Sequence, residues 1–155
     1  MLFVAFAAAC GTGGGGDHNP GALYPDRANQ YREDQERPIG GSVKVGGYTA
    51  TVTDAHLDED GTTIEVDVQI TNRDNAPQRT DPSHWTLVNT RNQTLDAKTT
   101  TYRSGDLAEG EMVEGSVLFT IDPGETGELY IQYKPEILDA ARGIWQMTLS
   151  ESATG

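Results

Sequence analysis

Apolar and polar residues alternate without interruption between positions 62 and 72 (TTIEVDVQITN). Ile64, Val66, Val68 and Ile70 fall on one parity, and polar side chains fall on the other. Successive side chains of a β-strand point to opposite faces, so this stretch predicts a strand with one buried face. Burying the four aliphatic side chains contributes roughly 6–12 kcal/mol, whereas ordering the backbone costs about 1–2 kcal/mol per residue. The strand therefore needs neighbours in its own sheet and a second apolar layer against its buried face.

Shorter stretches of the same kind predict strands on both sides of this one. Within residues 48–57 the parity of the apolar positions changes near Thr53 and Asp54, which predicts a β-bulge. Residues 58–61 (DEDG) predict the hairpin turn into the central strand, with Gly61 at a positive φ. The further predicted strands cover residues 43–45, 48–57, 85–89, 94–101, 112–121, 129–133 and 145–149.

These elements predict an all-β fold, a two-sheet antiparallel sandwich of seven or eight strands. Residues 135–143 begin with proline and end with glycine, which predicts one short helical insertion of one or two turns. Residues 73–83 predict a long polar loop, and residues 105–111 predict an acidic loop. The pattern contains no long helices, which argues against parallel βαβ units. A small closed barrel is the alternative.

The N-terminal residues 1–10 (MLFVAFAAAC) are apolar up to Cys10, the single cysteine of the chain. The run is too short to span a bilayer, which takes roughly 20 residues, and it is typical of the end of a signal-peptide apolar region. Residues 6–10 resemble the lipobox of bacterial lipoproteins, whose cysteine becomes the lipidated first residue. The resemblance implies lipidation of Cys10 and a protein outside the cytoplasm, tethered to the outer face of the cell membrane. A chance apolar N-terminus that ends in a free thiol is the alternative.

The apolar run lacks the basic residues that begin a signal peptide, so we expect the natural start to lie upstream. Residues 11–41 are rich in glycine, proline and polar residues and bury little apolar surface, which predicts a flexible linker. We expect the folded domain to cover residues 42–150 and a short tail to cover residues 151–155. With one cysteine the chain cannot form an internal disulfide, so its core depends on packing.

Three stretches support a family comparison: residues 64–72 (IEVDVQITN), residues 107–111 (LAEGE) and residues 113–124 (VEGSVLFTIDPG). Together they resemble the immunoglobulin-like, telokin-like domain of unknown function found in Gram-positive secreted lipoproteins. The resemblance covers about residues 42–150 and implies an immunoglobulin-like sandwich. The matching residues are core and turn positions, so no catalytic residue carries over.

The chain has 24 acidic and 11 basic residues, a net charge of -13. This charge repels phosphate backbones and anionic headgroups, so we expect no nucleic-acid partner and membrane contact only through a lipid on Cys10. Basic proteins and divalent cations stay open as partners. The acidic residues Asp106, Glu109, Glu111 and Glu114 form one candidate surface for them, and a solvated rim is the simpler interpretation.

Asp54, His56, Asp58 and Asp60 alternate along one strand and its turn, so they can project from one face. Oxygen ligands suit Ca²⁺, and histidine with carboxylates suits Zn²⁺, which makes these four residues a candidate metal site. Their spacing differs from that of an EF-hand, and a solvated strand face is the alternative.

Other chemistry has less support in the sequence. Copper binding would have to use Met112, Met147 and His84, but methionines in strands ordinarily fill gaps in a core. No G-x-S-x-G motif is present, and the predicted domain has no cysteine nucleophile. We therefore expect no enzymatic activity and no cofactor.

These observations favour a non-enzymatic module of the cell envelope that binds an envelope protein or polymer. A small-ligand or divalent-metal module that uses residues 54–60 is the alternative. An exposed apolar patch around Trp85, Tyr102 or Trp145 would favour partner binding.

Overall fold

The computed structural model describes residues 34–101, 104–135 and 142–151. A 3₁₀ turn, Pro82–His84, ends directly before Trp85. Twelve strands form in the described residues: β1 Gln35–Arg37, β2 Ser42–Val45, β3 Tyr48–Leu57, β4 Thr63–Asn72, β5 Gln78–Thr80, β6 Trp85–Val88, β7 Thr94–Asp96, β8 Thr99–Thr100, β9 Gly105–Leu107, β10 Met112–Thr120, β11 Gly127–Tyr133 and β12 Gly143–Leu149.

Strand β4 lies in the middle of a five-stranded sheet with the order β2-β3-β4-β10-β8. The predicted inward residues Ile64, Val66, Val68 and Ile70 are all at most 2% exposed, so the predicted central strand is confirmed. Strand β3 covers the predicted residues, and its pairing with β4 shifts between Val52 and Asp54, which confirms the bulge. Both neighbours pair with β4 along nearly its full length.

The second sheet has the order β1-β12-β11-β6-β7 and supplies the layer that β4 requires. Its inward side chains include Trp85, Tyr133 and Trp145, which are fully buried, and the Trp85 ring contacts the rings of the other two. One apolar core contains residues of both sheets. The predicted all-β two-sheet sandwich is confirmed, and its pairs are antiparallel except for the parallel pair of β1 and β12.

The strand count is larger than the predicted seven or eight. Strand β5 lies in the predicted polar loop, β9 lies in the predicted acidic loop, and the two pair with each other. The predicted strand over residues 94–101 is divided into β7 and β8, which belong to different sheets. These strands have two or three residues and are held by backbone hydrogen bonds, so they leave no hydrophobic alternation in the sequence.

The domain begins before the predicted boundary at residue 42, because β1 lies inside the predicted linker of residues 11–41. Residues 34–41, which we call the N-terminal clasp, contact both sheets. The Asp34 carboxylate accepts two hydrogen bonds from the Arg142 guanidinium, at 2.8 and 2.7 Å. The Gln35 side chain bonds the backbone N–H and C=O of Lys44 in β2, and the Trp145 indole N–H donates to the carbonyl of Gly41.

Three predictions lie partly or wholly outside the described residues. The first is the lipidation of Cys10, together with the linker up to residue 33. The second is the helical insertion of residues 135–143, of which positions 136–141 lie outside. The third is the tail, of which residues 152–155 lie outside. Gly143, predicted to end the insertion, is the first residue of β12.

Candidate functional site

The hairpin of β3 and β4 places a histidine among carboxylates on the outer face of the first sheet. His56 in β3 pairs with Glu65 in β4, and Asp54 and Asp58 lie two residues to either side of His56. The bulge after Val52 reverses the parity of β3, so Ala55 and Leu57 pack against the core and His56 points outward. Glu65 points to the same outer face, since its neighbours Ile64 and Val66 are buried.

The His56 ring is within reach of three carboxylates. Its Nδ1 lies 3.0 Å from Oδ2 of Asp54, and its Nε2 lies 3.3 Å from Oδ1 of Asp58 and 4.0 Å from Oε2 of Glu65. The hydrogen bond with Asp54 is the main cause that raises the pKa of His56 above its usual 6.5, and the nearby charges of Glu65 and Asp58 add to it. The carboxylates therefore favour the charged imidazolium in the absence of a competing cation.

Asp60, the fourth residue of the predicted site, has a different role. Its carboxylate accepts hydrogen bonds from the backbone N–H groups of Thr62 and Thr63, both at 2.8 Å, and from the Thr63 hydroxyl. These hydrogen bonds, with that of the Thr63 side chain the largest, lower the pKa of Asp60. The structure thus brings Asp54, His56 and Asp58 together, and it places Asp60 in the turn before β4, where Gly61 has the predicted positive φ of 72°.

Glu65 is the residue that the sequence analysis missed. His56, Asp58 and Glu65 each offer one ligand atom, and these atoms lie within 4.8 Å of one another. Counting outward from a turn at residues 58–61 would pair His56 with Thr63, whereas the structure pairs it with Glu65. The register that identifies Glu65 therefore had to come from the structure. The three side chains can supply one nitrogen and two oxygens to a cation.

The acidic face continues beyond these residues. The Ser116 Oγ lies 3.0 Å from Oε1 of Glu65 and 2.6 Å from Oδ1 of Asp67. A hydroxyl has one proton, so Ser116 can donate to one of the two carboxylates at a time. The outer face of β3, β4 and β10 is accordingly rich in acceptors and poor in donors.

The second acidic candidate is dispersed in the structure. Asp106 lies in β9, Glu111 accepts a hydrogen bond from the N–H of Ala108, and Glu114 accepts one from the side chain of Gln69. Of the described residues, these carboxylates form no group with converging ligand atoms. Met112 and Met147, considered for copper, lie in different sheets, and Met147 packs in the core.

Two of the three aromatic residues considered for partner binding lie in the core. Trp85 and Trp145 are fully buried, and Tyr102 lies outside the described residues. In the described part of the chain, Met112 is the only large apolar side chain that is strongly exposed, at 52%. A partner that binds the described surface would therefore contact mainly polar strands and loops. No helix within the described ranges has the length and apolar character needed to cross a membrane.

A two-layer β-sandwich with an apolar aromatic core and an acidic outer face defines the class of this domain. The chain belongs to the family described as "Domain of unknown function (DUF4352)", which matches residues 37–142. The match begins at Arg37, the last residue of β1, and so includes residues 37–41 of the N-terminal clasp. A search of curated protein sequences gives no match.

Three solved structures illustrate the fold. The chain is similar to YcdA of Bacillus subtilis, whose description as a lipoprotein is provisional, with 15% identity and a TM-score of 0.58 over 72% of this chain and 39% of that one. It is similar to the secreted protein MPT63 of Mycobacterium tuberculosis, with 10% identity and a TM-score of 0.54 over 74% and 98%. It is also similar to a β-sandwich protein of Clostridium difficile, with 11% identity and a TM-score of 0.50 over 74% and 94%. The chain thus spans well under half of YcdA, and these likenesses concern the fold.

Proposed function

We propose that this protein is a non-enzymatic module of the cell envelope, located outside the cytoplasm and held at the membrane by a lipid on Cys10. The observation that carries the proposal is the likeness in fold between this chain and two proteins described as a secreted protein and, provisionally, as a lipoprotein. Residues 37–142 also belong to a family of domains of unknown function. The lipobox-like residues 6–10 precede this domain. Residues 11–33 separate Cys10 from the N-terminal clasp, and a flexible coil of this length spans about 25 Å.

The immunoglobulin-like, telokin-like type belongs to this proposal. Two stacked sheets and a buried tryptophan on β6 support it. The proposed partner is an envelope protein or polymer, and because Trp85 and Trp145 are core residues, we assign its contact to polar loops and outer strand faces.

The anchor is tested by expressing the protein with its native leader in a Gram-positive host fed an alkyne-labelled fatty acid. We expect label on the wild-type protein and its recovery with the membrane fraction. The matched variant Cys10→Ala should be unlabelled and should appear in the medium. An unlabelled wild-type protein found in the medium would refute the lipid anchor and leave the fold assignment intact.

A divalent-cation module is the second candidate, favoured by the convergence of His56, Asp58 and Glu65 within 4.8 Å. A cation that binds only the folded state at a concentration of about 100 times its Kd would stabilise it by about 2.7 kcal/mol. The rise in Tm with Zn²⁺ or Ca²⁺ should disappear in Glu65→Gln and persist in Asp106→Asn, which removes the same charge from β9. A Zn²⁺ effect should also be larger at pH 8 than at pH 6, because the metal competes with the proton on His56. Unchanged melting temperatures at both pH values would exclude this candidate.

A further inference from the structure

A pocket lies beside the hairpin turn that joins β2 and β3. It has a volume of about 380 Å³ and is lined by Lys44, Gly46, Tyr48, Thr49 and Arg73. We call it the hairpin pocket. It is separate from the carboxylates around His56, which lie at the other end of β3.

The fold brings the polar lining residues together on one face of the sheet. Lys44 pairs with Thr49 across the β2–β3 hairpin, and the neighbours Val43 and Val45 are buried, so Lys44 projects outward. The N–H of Arg73 donates to the carbonyl of Gly47 at 2.7 Å, which holds the residue after β4 against the turn.

The two cations of the hairpin pocket lack acidic partners. In a chain with 24 acidic residues, neither Lys44 nor Arg73 takes part in an ion pair within the described ranges, whereas Arg79, Arg91 and Arg142 each lie within 4.0 Å of an aspartate. Asp74 follows Arg73, and its carboxylate lies against Gly47 in the turn and accepts a hydrogen bond from the Gln78 side chain. Asp74 is not among the lining residues, so the hairpin pocket is lined by two cations and no carboxylate.

We propose that the hairpin pocket binds a phosphate group. The ammonium of Lys44 and the guanidinium of Arg73 supply several donors from two residues, which suits a tetrahedral anion with several acceptor oxygens. The net charge of -13 opposes anions at long range, but screening limits this repulsion to about 8 Å at physiological ionic strength. Inside the pocket, the contacts with Lys44 and Arg73 dominate.

The phosphate could come from the free ion, from a phosphate ester or from a lipid headgroup, and the experiment separates these sources. The full chain, labelled with ¹⁵N, is titrated with inorganic phosphate, with glycerol 3-phosphate and with phosphatidylglycerol vesicles. We expect the amide signals of Lys44, Gly46, Gly47, Thr49 and Arg73 to shift with added phosphate. A lower Kd for the ester than for the free ion would identify an esterified phosphate, and binding to vesicles alone would identify a headgroup.

Variants distinguish the hairpin pocket from a general effect of charge. Lys44→Gln and Arg73→Gln should each weaken binding about tenfold, as expected for the loss of a charge-assisted hydrogen bond. Lys98→Gln removes the same charge near β8, at the opposite edge of the sheet, and should change the Kd by less than about twofold.

Three results would overturn the proposal. The first is the absence of shifts at the hairpin pocket up to about 50 mM of every probe, a range that covers even weak millimolar binding. The second is an equal loss of affinity in Lys98→Gln and Lys44→Gln, which would mean that only net charge matters. The third is wild-type affinity in Arg73→Gln. None of these results depends on the lipid anchor.

Discussion

Asp60 and His56 belong to the same hairpin and have different roles. Both are polar residues of one alternating stretch, yet Asp60 is bound by the turn residues Thr62 and Thr63, and His56 is left among carboxylates. Donors two and three residues ahead along the chain are available to an aspartate in a turn, and this local bonding competes with any shared site.

His56 provides a prediction for pH dependence. Its folded-state pKa is raised above 6.5 by Asp54, so its contribution to stability is fully present below pH about 6.5 and is lost as the pH rises through the folded-state pKa. The difference in the free energy of unfolding between wild type and His56→Gln should favour wild type at pH 5.5 and shrink by pH 8.5. Since the ring is half exposed, we expect less than about 1 kcal/mol.

An NMR titration of the His56 ring provides the control for this prediction. Asp54→Asn should lower the pKa of His56, because the hydrogen bond with Asp54 is the main cause of the shift. An equal pKa in both proteins would contradict this account.

Two glycines give a matched pair for packing. A Cβ at Gly143 would lie 2.5 Å from Cγ2 of Val43 and 2.9 Å from the Trp145 ring, whereas a Cβ at Gly105 would meet nothing within 4 Å. We expect Gly143→Ala to lower the free energy of unfolding by about 1–3 kcal/mol through overpacking. Gly105→Ala should be neutral or slightly stabilising, and chemical denaturation of both variants measures the difference. Equal free energies of unfolding would mean that the start of β12 accommodates the added methyl group without cost.

At the level of elements, sequence pattern identified the strands that bury side chains and missed those that pair only through the backbone. The alternation that includes Ile64 and Val66 predicted β4, and the change of parity near Thr53 and Asp54 predicted the bulge in β3. By contrast, β1 (QER) and β5 (QRT) contain no buried aliphatic residue, and their pairing depends on distant partners. For the candidate site, alternation gave His56 and its sequence neighbours, but Glu65 required the hairpin register.

The ion pair that holds the N-terminal clasp permits a quantitative test. Burial raises the pKa of Asp34 above its usual 3.8, and Arg142 only partly offsets this. The side chains of Arg142 and Asp34 are 5% and 0% exposed. Asp34→Ala removes the carboxylate that accepts two hydrogen bonds from this buried guanidinium and should cost about 3–5 kcal/mol. Asp122→Ala breaks the exposed pair with Arg91 and should cost less than about 1 kcal/mol.

The double variant Asp34→Leu with Arg142→Leu separates the cost of breaking the pair from its net value. Because desolvation of Asp34 outweighs its attraction to Arg142, this variant should recover most of the stability that Asp34→Ala loses. A double variant as unstable as Asp34→Ala would show that the pair itself is strongly stabilising.

For the whole molecule, the net charge of -13 predicts a dependence on salt. Repulsion among like charges destabilises a compact state, and salt screens it. Tm should therefore rise between about 10 mM and 500 mM sodium chloride, a range over which the Debye length falls from about 30 Å to well under 10 Å. The Asp34→Ala variant should show a similar slope, since its ion pair is buried. A fall in Tm would show that attractive surface pairs outweigh the net repulsion.

The parallel pairing of β1 with β12 also determines how the domain responds to force. A pull between the chain before Asp34 and the chain after Glu151 acts on two neighbouring parallel strands from opposite ends. The strands must then slide along each other, so the β1–β12 hydrogen bonds and the Asp34–Arg142 contact bear the tension together instead of opening one at a time. Tension between the two ends of the domain therefore runs along the strands, and unfolding requires several of these hydrogen bonds to break at once.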